Sequence, residues 1–382
     1  MFTMNSMAVI PDPVELTRDL IRMDTINPPG NEEPAARYLG EMLTGAGLDV
    51  SYPRLGENRT GLMAVVPGKA SRLPLVFTGH LDTVPIGDAP WDSPPHDAEI
   101  KNGRLMGRGA SDMKSGIAAM VVTALHLARE PEGEGDVVFV FTAGEETGSE
   151  GALHMKESGV LPREAGAIVV AEPTGNNPIL GHKGVLWLEC TARGQSAHGS
   201  MPDLGDNAIY KAARAAASLE DFFSSAEAHP QLGKPTVNVG TFIGGSKINM
   251  VPDSAHFRVD LRSVPGVEHA RLFEDIQAHL GPGIGIERLL DLPGISTPSS
   301  DPWIMRVLGI MARIEGNRPE PGYVNYFTDA SVLTPALSNP PTLILGPGEP
   351  SQAHQTNEYC RVEKIGRAVE FYLEIARDWL RR

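Results

Sequence analysis

The chain is poor in cysteine and in positive charge, and it has no long apolar run. Two cysteines among 382 residues, Cys190 and Cys360, cannot build a disulfide framework, so two reduced thiols are expected. Lys and Arg number 33 against 48 Asp and Glu, a net charge of −15. A phosphate-binding face needs positive potential, which excludes nucleic acid and anionic membrane surfaces as expected partners. No stretch reaches the roughly 20 apolar residues that span a bilayer. Met1 to Pro13 has neither the basic start nor the apolar centre of a secretory leader. The expectation is a soluble, cytoplasmic protein, and 41% hydrophobic with 21% charged residues is the balance of a folded one. At 382 residues it exceeds a single ordinary core, which suggests two domains or one domain with an insertion.

What the chain does have is a series of apolar runs whose last residues are chemically loaded. Helical spacing is expected over 13–23, and Asn31 can cap a second helix running to about residue 44. Strand candidates follow at 48–52 and 61–66. The continuous apolar run 73–78 has the character of a buried parallel strand and ends in Gly79-His80-Leu81-Asp82-Thr83-Val84-Pro85. A Trp- and Pro-rich loop at 90–95 precedes Gly107-Arg108-Gly109-Ala110-Ser111-Asp112-Met113-Lys114-Ser115-Gly116, which opens a helix to about residue 129. The buried run 136–142 ends in Ala143-Gly144-Glu145-Glu146-Thr147-Gly148, and the run 166–171 ends in Glu172-Pro173-Thr174. Open α/β sheets place their sites at the carboxyl ends of such strands.

From about residue 178 the texture changes. Apolar and polar residues alternate over 184–193, 237–242 and 255–262, as in half-exposed antiparallel strands, with helical patterns at 206–223 and 267–280. Pro293-Gly294 and the Ser/Pro stretch 297–302 mark an exit. A helix over 302–314, a strand over 342–345 and a terminal helix over 362–380 then restore the α/β pattern. The expected organisation is an α/β domain over 1–178 and 293–382, interrupted by an α+β domain over 179–292. Its sheet is mixed, mostly parallel and flanked by helices.

Zinc takes imidazole nitrogen and carboxylate oxygen, and a hydrolytic site with two metals needs an oxygen ligand between them. His80, Asp112, Glu146, Glu172 and His354 stand at element ends with that chemistry. Asp82, two residues past His80, is placed to accept the imidazole's other N–H. Glu145 and Glu146 are adjacent and face different ways, so one can bind metal while the other addresses a water. Each has a plainer reading taken alone: Asp112 as a helix cap, Glu145-Glu146 as a solvated turn, His80 as an ordinary strand-end residue. Lys114-Ser115 lacks the glycines of a phosphate-binding loop, Ser196 is not in a nucleophile elbow, and the four tryptophans read as packing residues.

In their order these motifs, with His182-Lys183-Gly184, Gly194-Gln195-Ser196-Ala197-His198-Gly199-Ser200 and Ala353-His354-Gln355, make the chain resemble the acetylornithine deacetylase and succinyl-diaminopimelate desuccinylase family of two-zinc amidohydrolases. That group also includes carboxypeptidase G-like peptidases and aminoacylases. The resemblance implies that the inserted domain is ferredoxin-like and serves as lid and dimerisation domain. It implies two Zn2+ per subunit, with Co2+ or Mn2+ as substitutes. Asp112 would bridge them, His80 and Glu172 completing one site and Glu146 and His354 the other. Glu145 would be the general base acting on a bridging water, Asp82 the partner of His80, and the Asp112–Met113 peptide cis. His198 would supply a donor to the tetrahedral oxyanion, in cis or from the partner of a homodimer. Arg262 would clamp the free carboxylate of a small-molecule substrate, with Asn249, Gly346, Gly348 and Thr328 as further substrate contacts and Asp329 beside the pocket. The activity implied is removal of an acyl group from an N-acyl amino acid. The rivals are a carboxypeptidase or dipeptidase with the same site, and a non-catalytic metal-dependent binding protein.

Overall fold

The computed structural model describes residues 9–381; residues 1–8, part of the stretch read for a leader, lie outside the described residues. The chain divides into two compact units. One comprises the chain up to residue 180, 297–322 and the chain from 328; the other comprises 181–296 and 323–327.

In the first unit the helix starts follow local chemistry. Asp12 Oδ1 accepts the N–H of Val14 at 2.8 Å and of Glu15 at 3.2 Å, capping the helix Pro13–Arg22, while Pro13 fixes a backbone angle suited to the first turn. Asp301 caps Pro302–Glu315 in the same way. Asn31 does not cap the second helix. That helix runs Glu33–Gly45 behind Glu32, and Asn31 Nδ2 instead donates to the Asp24 carbonyl at 3.0 Å, closing the proline-rich turn.

The central sheet is mixed. In spatial order its strands include Asp49–Ser51, Leu62–Val66, Gly133–Thr142, Gly68–His80, Ala167–Val170, Thr342–Ile344 and Ile179–His182. Gly68–His80 runs parallel to both neighbours, and Thr342–Ile344 runs parallel to Ala167–Val170; the outer pairings are antiparallel. Phe77 faces Phe139 across the parallel pair with ring centroids 5.2 Å apart, and Tyr372 of the terminal helix Val362–Leu380 meets Phe77 edge-on at 5.4 Å. Each such buried ring contributes roughly 1.5–3 kcal/mol of transfer free energy. The helix Ser115–Leu127 is buried at every position except His126, the pattern of a helix with apolar neighbours all round. Because Gly68–His80, Gly133–Thr142 and Ala167–Val170 run the same way, His80, Glu145–Glu146 and Glu172 all leave the sheet at one edge.

The second unit is a four-stranded antiparallel sheet in the order Thr236–Gly244, Ser254–Ser263, Gly184–Arg193 and Ile284–Leu292. Leu186, Leu188, Cys190 and Ala192 point to one face with Phe257, Val259 and Leu261. That face packs on Ala208, Ala212, Leu272 and Ile276 of the helices Ala208–Ser218 and His269–Leu280. The strand Ile284–Leu292 was not apparent from alternation, and its pairing shows why. Trp187 faces Leu290 and Leu188 faces Arg288, so Leu289 bulges out and the period of two slips mid-strand.

Cys190 and Cys360 are both free and buried, and burial pushes each thiol up to about 12. Among the described residues no helix is long and apolar enough to cross a membrane.

Candidate metal centre

Asp112 lies in the turn Ala110–Lys114, between Gly109 at φ +82° and the helix from Ser115. Its own angles, φ −119° and ψ 93°, are not helical, and the Asp112–Met113 peptide is cis. The side chain stands between two imidazoles and does not cap the helix. Oδ1 is 3.1 Å from His80 Nε2 and Oδ2 is 3.4 Å from His354 Nε2. Glu172 Oε1 is 3.9 Å from His80 Nε2, and Glu146 Oε2 is 2.9 Å from His354 Nε2. Two groups result, His80–Asp112–Glu172 and Asp112–Glu146–His354. The donor atoms within each lie within 4.8 Å of one another, and Asp112 belongs to both. His354 adopts φ +62°, a conformation uncommon outside glycine, and its side chain is half exposed while the other four are buried or nearly so.

Asp82 meets His80 mainly through its backbone carbonyl, and its carboxylate has a further task. His80 Nδ1 lies 2.9 Å from the Asp82 backbone carbonyl and 3.6 Å from its carboxylate. The carboxylate is spent on the neighbouring turn: Oδ1 accepts the N–H of Gly144 and Glu145 at 2.9 and 3.1 Å, and Oδ2 accepts the N–H of Glu146 at 3.2 Å and Asn27 Nδ2 at 2.9 Å. Asp82 thus sets the height at which the two glutamates leave the sheet.

The electrostatics test whether this pocket suits cations. Burial, then the charge of Glu172, holds the Glu145 carboxyl well above its usual range; burial likewise raises Glu172 and Glu146, with nearby carboxylates adding to it. Burial works against a charged Asp112 and a charged His80. The His354 and His80 contacts nonetheless hold Asp112 well below the usual carboxylate range, and Glu172 and Asp112 hold His80 well above the usual imidazole range. His354 is pushed up to about 10 by its contacts with Asp112 and Glu146. Glu146 Oε1 is buried with no hydrogen-bond partner. A pocket with this surplus of carboxylate and an orphaned carboxylate oxygen fits a pair of divalent cations, as does the mixed imidazole and carboxylate donor set.

The remaining predicted residues divide between the units. In the first, Gly346 and Gly348 pack against backbone. A Cβ on Gly346 would lie 2.1 Å from the Ala171 carbonyl oxygen, and one on Gly348 would lie 2.0 Å from that of Ser111. The Gly346 N–H is donated to Thr174 Oγ1 at 3.1 Å, so it is not offered to a substrate carboxylate. Thr328 is fully buried, its Oγ1 accepting the Ala330 N–H at the start of the helix Ala330–Ala336. Asp329 is buried as well and accepts from Thr142 Oγ1, whose own residue pairs with His80 across the sheet.

In the second unit, His198 and Asn249 lie on two loops zipped together by Gly199 N–H to Asn249 O at 2.8 Å and Val251 N–H to Ala197 O at 2.9 Å. His198 is exposed, and its Nδ1 lies 2.7 Å from Ser200 Oγ and 3.2 Å from the Ser200 N–H. Arg262 is held by its own strand: Nε and Nη2 both reach the Asp260 carboxylate, which also accepts Trp187 Nε1–H at 3.0 Å. Sequence reasoning missed Asn27, which holds Asp82, and Lys114, whose buried ammonium donates to the Leu20 and Met23 carbonyls. An Asn before two prolines and a Lys inside the Asp112 motif were the available signals.

An acetylornithine deacetylase from Myxococcus xanthus is 33% identical over 373 residues, covering 91% of this chain and 92% of that protein. A probable succinyl-diaminopimelate desuccinylase from Staphylococcus epidermidis is 28% identical over 407 residues, covering 97% of this chain and 98% of that protein. Among solved structures, a dinuclear metal-binding peptidase of the M20 family from Bacillus subtilis superposes with a TM-score of 0.72 at 17% identity, covering 96% of this chain and 97% of that one. The family model described as peptidase family M20/M25/M40 matches residues 76–378, so the chain is a hydrolase that belongs to that family.

Proposed function

We propose that the protein hydrolyses the amide bond of a small N-acyl amino acid. The observation that carries this is the carboxylate of Asp112 shared between two His- and Glu-containing groups, with Glu145 buried beside them and outside both. His80, Asp112 and Glu172 would hold one cation and Asp112, Glu146 and His354 the other; Zn2+ suits these donors, and Co2+ or Mn2+ could replace it. When bound, the cations polarise the scissile carbonyl and acidify water. Glu145 takes the proton of the attacking water and delivers it to the leaving amine, so the C–N bond breaks as carboxylate and amine form. Asp82, which accepts the Glu145 N–H at 3.1 Å, would steady that residue.

By the resemblance, His198 would supply a donor to the oxyanion and Arg262 would clamp the substrate carboxylate. The second unit ends in an open sheet edge, Thr236–Gly244, with Phe242, Ile243, Ile248 and Met250 exposed. An unpaired edge with that much apolar surface supports a homodimer formed there, and sedimentation of the purified protein tests it. The two sequence relatives named for deacylases favour that chemistry over peptide cleavage.

The discriminating experiment is turnover on N-acetyl and N-succinyl amino acids beside dipeptides, with metal content measured in parallel. Cleavage of the N-acyl substrates is expected. Turnover confined to the dipeptides would reassign the protein as a dipeptidase or carboxypeptidase, and two bound ions without any turnover would leave it a binding protein.

A further inference from the structure

We propose that Glu358 is the positioning residue of the shared ligand Asp112, an inference that rests on the metal-centre reading above. Glu358 is fully buried, and both its oxygens are committed to the loop that carries Asp112. Oε1 accepts the N–H of Ser111 at 2.7 Å and of Asp112 itself at 3.0 Å; Oε2 accepts the N–H of Gly109 at 3.0 Å and pairs with Arg108 Nη1 at 2.7 Å. The Glu358 carbonyl takes the Gly107 N–H at 2.9 Å as well.

Three of those donors belong to a stretch that is neither regular helix nor strand, so no ladder satisfies them. One carboxylate does this instead, with the strength of charge-assisted bonds. It anchors Asp112 at its own amide, one residue's width from the carboxylate that must address both imidazoles.

Arg108 extends the same clamp. It balances the buried charge of Glu358 and also donates to the carbonyls of Gln355 at 3.3 Å and Pro85 at 3.0 Å. Gln355 adjoins His354, and Pro85 closes the segment that begins at His80. The Glu358–Arg108 pair therefore joins the backbone behind His80, Asp112 and His354, three donors far apart in the chain. Because Asp112 serves both metal groups, loosening it weakens both ions together, whereas loss of a private ligand such as His80 or His354 weakens one.

The test is Glu358→Gln, which keeps the buried volume but turns an amide NH2 against the loop donors. Zn2+ binding is titrated against a competing chelator, and hydrogen exchange of the 107–114 peptide is followed in the metal-free protein. Expected are faster exchange of that peptide and a 10- to 100-fold loss of affinity at both sites together. Tyr372→Phe, which removes a buried hydrogen bond to the Leu345 carbonyl, is the control for general destabilisation and should keep both affinities.

If Glu358→Gln fails to fold, Glu358→Asp is read the same way. Unchanged affinity, loss at one site only, or an equal loss in Tyr372→Phe overturns the positioning role. A wild-type protein that binds fewer than two ions instead overturns the metal-centre reading beneath it.

Discussion

Asp82→Asn should damage one of the two metal groups more than the other. The carboxylate accepts four hydrogen bonds, two on each oxygen. The amide that replaces it must turn its NH2 towards one pair of donors. On the Oδ1 side these are the backbone N–H groups of Gly144 and Glu145, which cannot reverse. On the Oδ2 side they are the Glu146 N–H and the side-chain amide of Asn27, which can flip and become an acceptor at the expense of its 2.9 Å contact with Thr147 Oγ1. The NH2 therefore settles on the Oδ2 side and leaves the Glu146 N–H without a partner. One buried, unsatisfied donor costs about 1–3 kcal/mol.

Urea unfolding of the metal-free variant should show a loss of that size. Titration with Zn2+ should show the group containing Glu146 and His354 weakened more than the group containing His80 and Glu172. Stability within about 0.5 kcal/mol of wild type, below the range expected for a buried orphan donor, would refute the reasoning, as would weakening confined to the His80 side.

Other perturbations reach different parts of the molecule. Glu145→Gln should bind two ions with unchanged stoichiometry by elemental analysis while kcat falls about 10²–10⁴-fold, the usual worth of a general base; substantial retained turnover would remove Glu145 from that role. Gly348→Ala places a methyl 2.0 Å from the Ser111 carbonyl oxygen, so the Asp112 loop must shift, and a clear drop in both Tm and metal affinity is expected; a variant that loses neither would show that the loop has room. His182 is fully buried, and burial holds it down to about 4 from an ordinary 6.5. Below pH 6.5 the unfolded chain takes up a proton that the folded chain refuses until about pH 4. Stability from this group is thus complete above pH 6.5 and lost as pH falls towards 4. Between pH 7.5 and 5 the wild type should lose roughly 2 kcal/mol more than His182→Asn in metal-free urea unfolding; parallel losses would place His182 in contact with solvent.

His80, Glu145, Glu146 and Glu172 could be read from the chain because each stands where a buried apolar strand stops. A buried run is a strong signal, and a polar group just past it has few structural uses. His80, Glu145–Glu146 and Glu172 all follow that rule, and the structure brings them to one edge of the sheet. Asp112 and His354 do not follow strands. Their residue types marked them as candidates, their roles came through the resemblance, and their geometry depends on backbone that no periodicity encodes: the turn 110–114 and the left-handed His354. What holds the centre in place was not legible. Asp82 serves the glutamate turn through hydrogen bonds spanning 62 to 64 residues, and Glu358 serves the Asp112 loop across 246 to 250, distances at which local pattern says nothing. Gly346 and Gly348 were identified as substrate contacts, but no local pattern announced that both pack too tightly against backbone to carry a Cβ.

The place of Thr342–Ile344 in the central sheet bears on how the protein is made. It lies between Ala167–Val170 and Ile179–His182, two strands synthesised long before it. Until the ribosome has released that late strand, the nascent sheet has a slot one strand wide with an exposed hydrogen-bonding edge on each side, the kind of edge that invites pairing with another chain. His354 and Glu358 follow the same late strand. The group Asp112–Glu146–His354 is therefore completed only after that strand, whereas His80, Asp112 and Glu172 all precede it.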